Sequence, residues 1–279
     1  MDAASRPHPA TLGRYRIDAQ LGRGAMGVVY RGHDPETGRA VALKTLALAR
    51  EFEGVALAEA RSRFLREAQT AARLQHHDIV TVFDAGEHQG LAYIAMEYVV
   101  GHDLQVHTQA DHLLLPSQVI AIGARVADAL AHAHRQGVVH RDIKPANVMV
   151  ELAADVVKVT DFGVAHIADA ARTRTGMVLG TLSFMSPEQM AGGRVDGRSD
   201  LYSLGVMLFQ LLTGALPHAS ESMARLMYAI ANEPALDIRE LRPELPEALA
   251  QVVAQALEKR AERRQADAAR LAAELRGVI

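Results

Sequence analysis

Residues 140–147 read His140-Arg141-Asp142-Ile143-Lys144-Pro145-Ala146-Asn147, which places one carboxylate, two cations and an amide in a single short segment. Such a set can orient a hydroxyl, offset phosphate charge and offer oxygen ligands to a hard divalent cation. Asp161-Phe162-Gly163 adds a second carboxylate downstream. Upstream lies Gly22-Arg23-Gly24-Ala25-Met26-Gly27-Val28, whose glycines let backbone N–H groups approach phosphate oxygens without side-chain obstruction. Val41-Ala42-Leu43-Lys44 then ends an apolar run in a cation. Each piece alone has a plain alternative. The glycines suit a tight hairpin, the lysine a solvated surface, and Asp-Phe-Gly an ordinary turn. A dinucleotide fingerprint needs a helix directly after the glycines, but Val28-Val29-Tyr30 reads as strand. A Walker A loop needs Gly-Lys-Ser/Thr, which is missing.

The elements that must carry these residues fall into two blocks. Tyr15 to Leu21, Val28 to His33 and Ala40 to Leu46 are β-prone runs, with a turn at Asp34-Pro35-Glu36-Thr37-Gly38. A helix is expected from Ala58 to Gln75, with Phe64, Ala68, Ala71 and Ala72 on one face. Strands at Ile79 to Asp84 and Leu91 to Tyr98 complete a small sheet, and Gly101 marks a hinge. The pattern then turns helical. Val119, Ile122, Val126, Leu130 and Ala133 recur at helical spacing before Gly137, a helix stop. Further helices are expected at Leu201 to Leu212, Glu247 to Leu257 and Gln265 to Leu275. The chemical segments fall around the junction of the blocks, and clefts between lobes favour ligands.

Composition narrows the function classes. The 279 residues are 49% hydrophobic, enough for a sizeable core. A net charge of −3 gives no reason to expect nucleic acid or an acidic membrane surface as partner. The absence of cysteine excludes disulfides and thiolate metal sites and suits a reducing cytoplasm. Residues 1–13 lack a signal-type apolar stretch, and the most apolar window, Leu201 to Pro217, is broken by Ser203, Gln210 and Thr213. No membrane segment is expected.

The order and context of the four segments resemble the signature set of the eukaryotic-like serine/threonine protein kinases of bacteria, from about Tyr15 to about Leu275. The resemblance implies an α+β, bilobal kinase fold, with a small antiparallel-sheet N-lobe holding one key helix and a larger, mainly helical C-lobe. It divides the chain into a flexible segment (1–13), N-lobe (14–98), hinge (99–103) and C-lobe (104–279). The implied activity is ATP- and Mg2+-dependent phosphorylation of serine and threonine hydroxyls, with Mn2+ as a substitute metal and protein substrates as partners. A homodimer through the N-lobe is a further implication.

Residue roles follow from the same resemblance. Gly22, Gly24, Gly27, Val28, Ala42, Met96, Glu97 and Val99 are expected around the nucleotide, with Met96 as gatekeeper. Lys44 would reach the α- and β-phosphates and pair with a glutamate, Glu67, with Glu51, Glu53 and Glu59 as rivals. Asp142 would orient the attacking hydroxyl and Lys144 would neutralise the γ-phosphate. Asn147 and Asp161 would hold the metal, while His140 would pack under the loop. Thr173 and Thr175 are expected phosphorylation sites, read by Arg141 and His166. Glu188 would pair with Arg264 as a structural brace, and Asp200 reads as a helix N-terminal acid, a catalytic-loop brace, or both. Ser186-Pro187-Glu188 stands where relatives usually have Ala-Pro-Glu. Two other readings stand beside this one, a catalytically silent scaffold of the same fold and a small-molecule phosphotransferase.

Overall fold

The structure is a computed structural model, and it describes residues 9–24, 27–48, 52–162 and 182–278. These fall into two compact units. The first comprises residues 9–75 and Val80–Val99; the second comprises His76–Ile79 and the described residues from Val100 onward.

The described residues of the first unit form one antiparallel sheet with a long helix. Its elements are β1 (Thr11–Leu12), β2 (Tyr15–Gly24), β3 (Gly27–His33), β4 (Ala40–Leu46), α1 (Gly54–Ala71), β5 (Val82–His88) and β6 (Leu91–Glu97). The strand order is β1-β2-β3-β4-β6-β5. Asp34 builds the β3–β4 turn by accepting from the Glu36 and Gly38 amides, with Gly38 at φ +69°. Alternation sorts β4 by face. Val41 and Leu43 join Tyr15, Ile17, Tyr30, Tyr93 and Ala95 in a packed apolar cluster, while Ala42 and Lys44 point to the other face. Helix α1 buries Ala60, Phe64, Ala68 and Ala71, a single stripe at helical period. It begins four residues before the expected Ala58 and ends at Ala71, after which the chain tightens into a turn with Leu74 N–H donating to the Ala71 carbonyl.

The expected strand from Ile79 starts instead at Val82. Ile79 is drawn into the second unit, where it makes a parallel bridge to Val159, and the Asp78 carbonyl accepts from Val159 N–H at 2.8 Å. Arg125 reinforces this by donating to the Asp78 carboxylate through Nε at 2.9 Å.

The second unit holds β7 (His102–Asp103), α2 (Pro116–Arg135), β8 (Val148–Glu151), β9 (Val156–Val159), α3 (Pro187–Met190), α4 (Gly197–Thr213), α5 (Met223–Asn232), α6 (Ile238–Leu241), α7 (Glu247–Ala256) and α8 (Ala268–Arg276). Strands β7, β8 and β9 form a small antiparallel sheet. Helix α4 is apolar nearly all round because its neighbours α2, α7 and α8 cover it. Asp196 caps its start by accepting from Arg198 N–H, and Gly214 ends it at φ +75°. Among the described residues no helix is long and apolar enough to cross a membrane.

Candidate active site

In the second unit the segment 140–147 is held from below by one carboxylate. Asp200, fully buried in the first turn of α4, accepts from the His140 amide at 2.8 Å, the Arg141 amide at 2.7 Å and His134 Nε2 at 2.8 Å. It therefore combines the helix-terminal and loop-bracing positions. Arg141 adopts φ +68°, a conformation that a side-chain-bearing residue takes only when its surroundings hold it there. The Asp200 bond to its amide supplies that hold from below, and Gln189 Nε2 donates to the Arg141 carbonyl at 2.9 Å from above.

His140 is buried and acts as a peg. Its Nε2 lies 2.8 Å from the Thr160 carbonyl and its Nδ1 3.2 Å from the Asp142 amide, while its ring edge meets Phe162. A carbonyl only accepts and an amide N–H only donates, so the ring is the neutral Nε2–H tautomer. A ring saturated in this way is not a proton acceptor for substrate.

The Asp142 carboxylate receives Lys144 Nζ at 2.8 and 3.0 Å. Asn147 Nδ2 donates to the Asp142 carbonyl at 2.7 Å and to its carboxylate at 3.1 Å. Pro145 starts the single 3-10 turn (Pro145–Asn147) that folds Asn147 back toward Asp142, and buried Ile143 anchors it. With the amide nitrogen of Asn147 committed to Asp142, its oxygen is the atom left for a cation. Asp161 follows β9 at φ +66°, and the Asn147 carbonyl accepts from Thr160 N–H at 2.9 Å, which ties the two segments together. An amide oxygen and a carboxylate are hard ligands, and this donor set fits Mg2+, which takes few protein ligands and completes its shell with phosphate and water.

Glu188 and Arg264 form a bidentate ion pair, Nη1 to Oε1 at 2.7 Å and Nη2 to Oε2 at 2.8 Å. Arg264 also donates to the carbonyls of Glu258, Arg198 and Lys259, and Ser199 Oγ donates to Glu188. Burial pushes the Glu188 carboxyl up, but the Arg264 and Ser199 hydrogen bonds outweigh it and hold it down to about 2. Ser186 caps α3: its hydroxyl accepts from Gln189 N–H, and Gln189 Oε1 accepts from Ser186 N–H. The serine thus has a bonding role in the place where alanine was the expected pattern.

In the first unit, Gly22, Gly24 and Gly27 lie on the paired ends of β2 and β3, with Gly24 opposite Gly27. A Cβ at Gly27 would collide with the Thr45 carbonyl, whereas Gly22 and Gly24 face open space. The Thr45 hydroxyl stitches this corner, accepting from Val28 N–H and donating to the Val28 carbonyl. Ala42, Lys44, Ile94 and Met96 share one face of the sheet. Val28 does not: it packs against the apolar cluster on the opposite face. Its neighbour Val29 stands opposite Lys44 and shares that face, so the valine beside the lysine is Val29, and the expectation for Val28 is corrected. The period-two alternation against Lys44 was the signal that could have found it.

Glu97 N–H donates to the Thr81 carbonyl at 2.8 Å, and its side chain accepts from Thr81 N–H at 3.2 Å. Glu97 also stands opposite Val41 at the end of the β4–β6 ladder, and Val99 lies two residues on. Glu67 is half-buried on α1 between the buried Phe64 and Ala68, whereas Glu53 and Glu59 are exposed. Glu51, Gly163, His166, Thr173 and Thr175 lie outside the described residues. Sequence reading also missed His134, Thr160, Gln189 and Ser199, which support the loop and Glu188 from distant positions with no local pattern to mark them.

The comparisons agree on one family. The family described as "Protein kinase domain" matches residues 15–274. The serine/threonine-protein kinase pkn3 of Myxococcus xanthus is 40% identical over 95% of this chain and 50% of its own length. The serine/threonine-protein kinase PknJ of Mycobacterium tuberculosis is 42% identical over 88% of this chain and 42% of its own. The chain thus spans about half or less of the length of these curated relatives. The crystal structure of the Mycobacterium tuberculosis PknI kinase domain superposes with a TM-score of 0.76 at 33% identity, covering 96% of this chain and 98% of that one. The antiparallel first unit and the helical second unit are the small and large lobes of that fold, and the chain belongs to the protein kinase family.

Proposed function

We infer that this chain transfers the γ-phosphoryl group of ATP to serine and threonine hydroxyls of proteins. The observation that carries the reading is the Asp142 carboxylate, held by Lys144 and Asn147 on a loop braced by Asp200. A positioned carboxylate can accept the hydrogen bond of an incoming hydroxyl and aim its oxygen at phosphorus. The transition state is largely dissociative, so this orientation matters more than base strength. The hydroxyl oxygen bonds to phosphorus, the bond to the ADP oxygen breaks, and the hydroxyl proton leaves through Asp142. Lys144, already within reach of that carboxylate, balances charge on the transferring group. Asn147 and Asp161 would hold Mg2+, which would supply charge neutralisation on the phosphates.

On the first unit, Lys44 takes the α- and β-phosphates, with Glu67 as its carboxylate partner. The hairpin at Gly22, Gly24 and Gly27 covers the phosphates, and Val29, Ala42 and Met96 form the apolar surface for the base. The Glu97 carbonyl and Val99 amide are its hydrogen-bonding groups. Thr173 and Thr175 are self-phosphorylation sites, with Arg141 and His166 as cations for the phosphate. The reaction belongs in the cytoplasm, where ATP is held, and self-phosphorylation in trans is compatible with a homodimer through the small lobe.

The test is incubation with Mg-ATP followed by mass spectrometry of the intact chain and its peptides. Asp142→Asn, which preserves shape, is expected to bind ATP and to lose at least 100-fold in phosphoryl transfer, about 2.7 kcal/mol of barrier. Turnover near that of the unaltered chain would refute the assignment of Asp142. Absence of transfer by the unaltered chain, with ATP bound, would favour a silent scaffold.

A further inference from the structure

Strand β7 runs directly into a 3-10 turn, Leu104–His107. Two features fix this turn. Leu104 is completely buried, and the Asp103 carboxylate accepts from Gln105 N–H at 2.9 Å. The result brings His102 Nε2 to 3.1 Å from His107 Nε2, with the two rings tilted by 54°. None of the groups proposed for phosphoryl transfer lies in this turn.

The other nitrogen of His107 lies 2.9 Å from the His112 backbone carbonyl. A carbonyl only accepts, so His107 carries its proton on Nδ1 and presents a lone pair at Nε2. With His102 protonated at Nε2 the pair is an imidazole–imidazole hydrogen bond. With that proton on Nδ1 of His102, both Nε2 atoms carry lone pairs 3.1 Å apart. Zn–N bonds of about 2.0–2.1 Å at a tetrahedral angle separate two ligand nitrogens by about 3.3 Å. The pair therefore needs to open by only roughly 0.2 Å to admit a cation of that kind. The Nδ1–H to carbonyl bond of His107 is the outer contact that fixes the tautomer and ring plane of a metal-bound histidine. His102 is exposed and His107 half-buried, so a hydrated ion can reach them.

We propose that His102 and His107 form a two-histidine chelate for a divalent transition cation of the zinc class, distinct from the Mg2+ ligands proposed above. Imidazole nitrogens select Zn2+, Cu2+ or Ni2+ over Mg2+ and Ca2+, whose ligands are oxygens. Among the described residues no group of three or more His, Asp or Glu side chains could hold a metal, so water completes this shell. Binding shifts the His102 proton from Nε2 to Nδ1 through solvent and releases no net proton from the neutral pair. The site is open, weaker than a closed four-ligand centre, and keeps positions to which a further ligand can add.

The test is titration of the chain with Zn2+ alone, without nucleotide or Mg2+, followed by imidazole nitrogen chemical shifts and by calorimetry. The first equivalent is expected to move Nε2 of His102 and of His107 together. Affinity is expected to fall at least 10-fold in His102→Gln and, separately, in His107→Gln, and to be unchanged in His76→Gln. No shift at either residue up to millimolar Zn2+ would show that the pair is only a hydrogen bond. A first equivalent that settles on others of the 13 histidines, or affinity indifferent to both substitutions, would equally overturn the proposal.

Discussion

Asp200→Asn isolates what the buried carboxylate contributes. The substitution preserves volume and leaves one oxygen in place of two. Three donors converge on Asp200, from the His140 amide, the Arg141 amide and His134 Nε2, all within 2.8 Å. An asparagine nitrogen cannot accept, so at least one N–H meets another N–H in a fully buried place. An unsatisfied buried donor costs about 1–3 kcal/mol, and the remaining bonds fall from charged (about 1.5–3 each) to neutral (about 0.5–1.5 each). The amide whose bond holds Arg141 at φ +68° is among those at risk, and that conformation costs about 1–3 kcal/mol when unsupported. Relaxation recovers part of this, and a net loss of about 2–4 kcal/mol is expected. Urea unfolding should show a lower midpoint with an unchanged slope, since the folded surface is the same. Phosphoryl transfer should fall with it, because Asp142 sits one residue beyond the released amide. A double-mutant cycle with His134→Ala should show coupling above about 0.5 kcal/mol. Stability within about 0.5 kcal/mol of the unaltered chain would refute the bracing role.

Val29→Ala should raise the KM for ATP several-fold with a small effect on stability, whereas Val28→Ala should lower the unfolding midpoint and leave that KM nearly unchanged; the reverse pattern would return Val28 to the nucleotide face. Folded Glu188 titrates at about 2 against an ordinary 4.5, so its contribution is complete above pH ~4.5 and is lost as pH falls toward 2. Arg264→Met should remove that acid-dependent share, read as a flatter unfolding-midpoint profile between pH 5 and about 2.5. Burial foremost, with Lys259 beside it, pushes buried His218 down to about 4. Stability should therefore decline as pH drops from ~6.5 to ~4, and His218→Phe should abolish this part of the decline; an unchanged slope would count against it.

The sequence alone carried the family signature, because it resides in residue types at short spacing: Asp142, Lys144 and Asn147 within one loop, the glycines before a strand, Lys44 at the end of an apolar run. It also carried the strands around Asp34 and the long helices, since turn chemistry and periodicity are local. It placed Ala40–Leu46 where the strand is found and marked Gly137 as a helix stop, where φ is +75°. The helix Met223–Asn232 and the hairpin of β8 and β9 were not read, being short and without strong punctuation. Tertiary structure decided the rest, because those contacts join residues far apart in the chain. Asp200 reaches the 140–147 segment across 60 residues, and Gln189 reaches Arg141 across 48. Which valine faces Lys44 is set by the pairing of β3 with β4, since a one-residue difference reverses the face of every side chain. Ile79 leaves the expected strand because its apolar side chain and the Asp78 carbonyl find better partners at Val159, a choice only the folded chain can make.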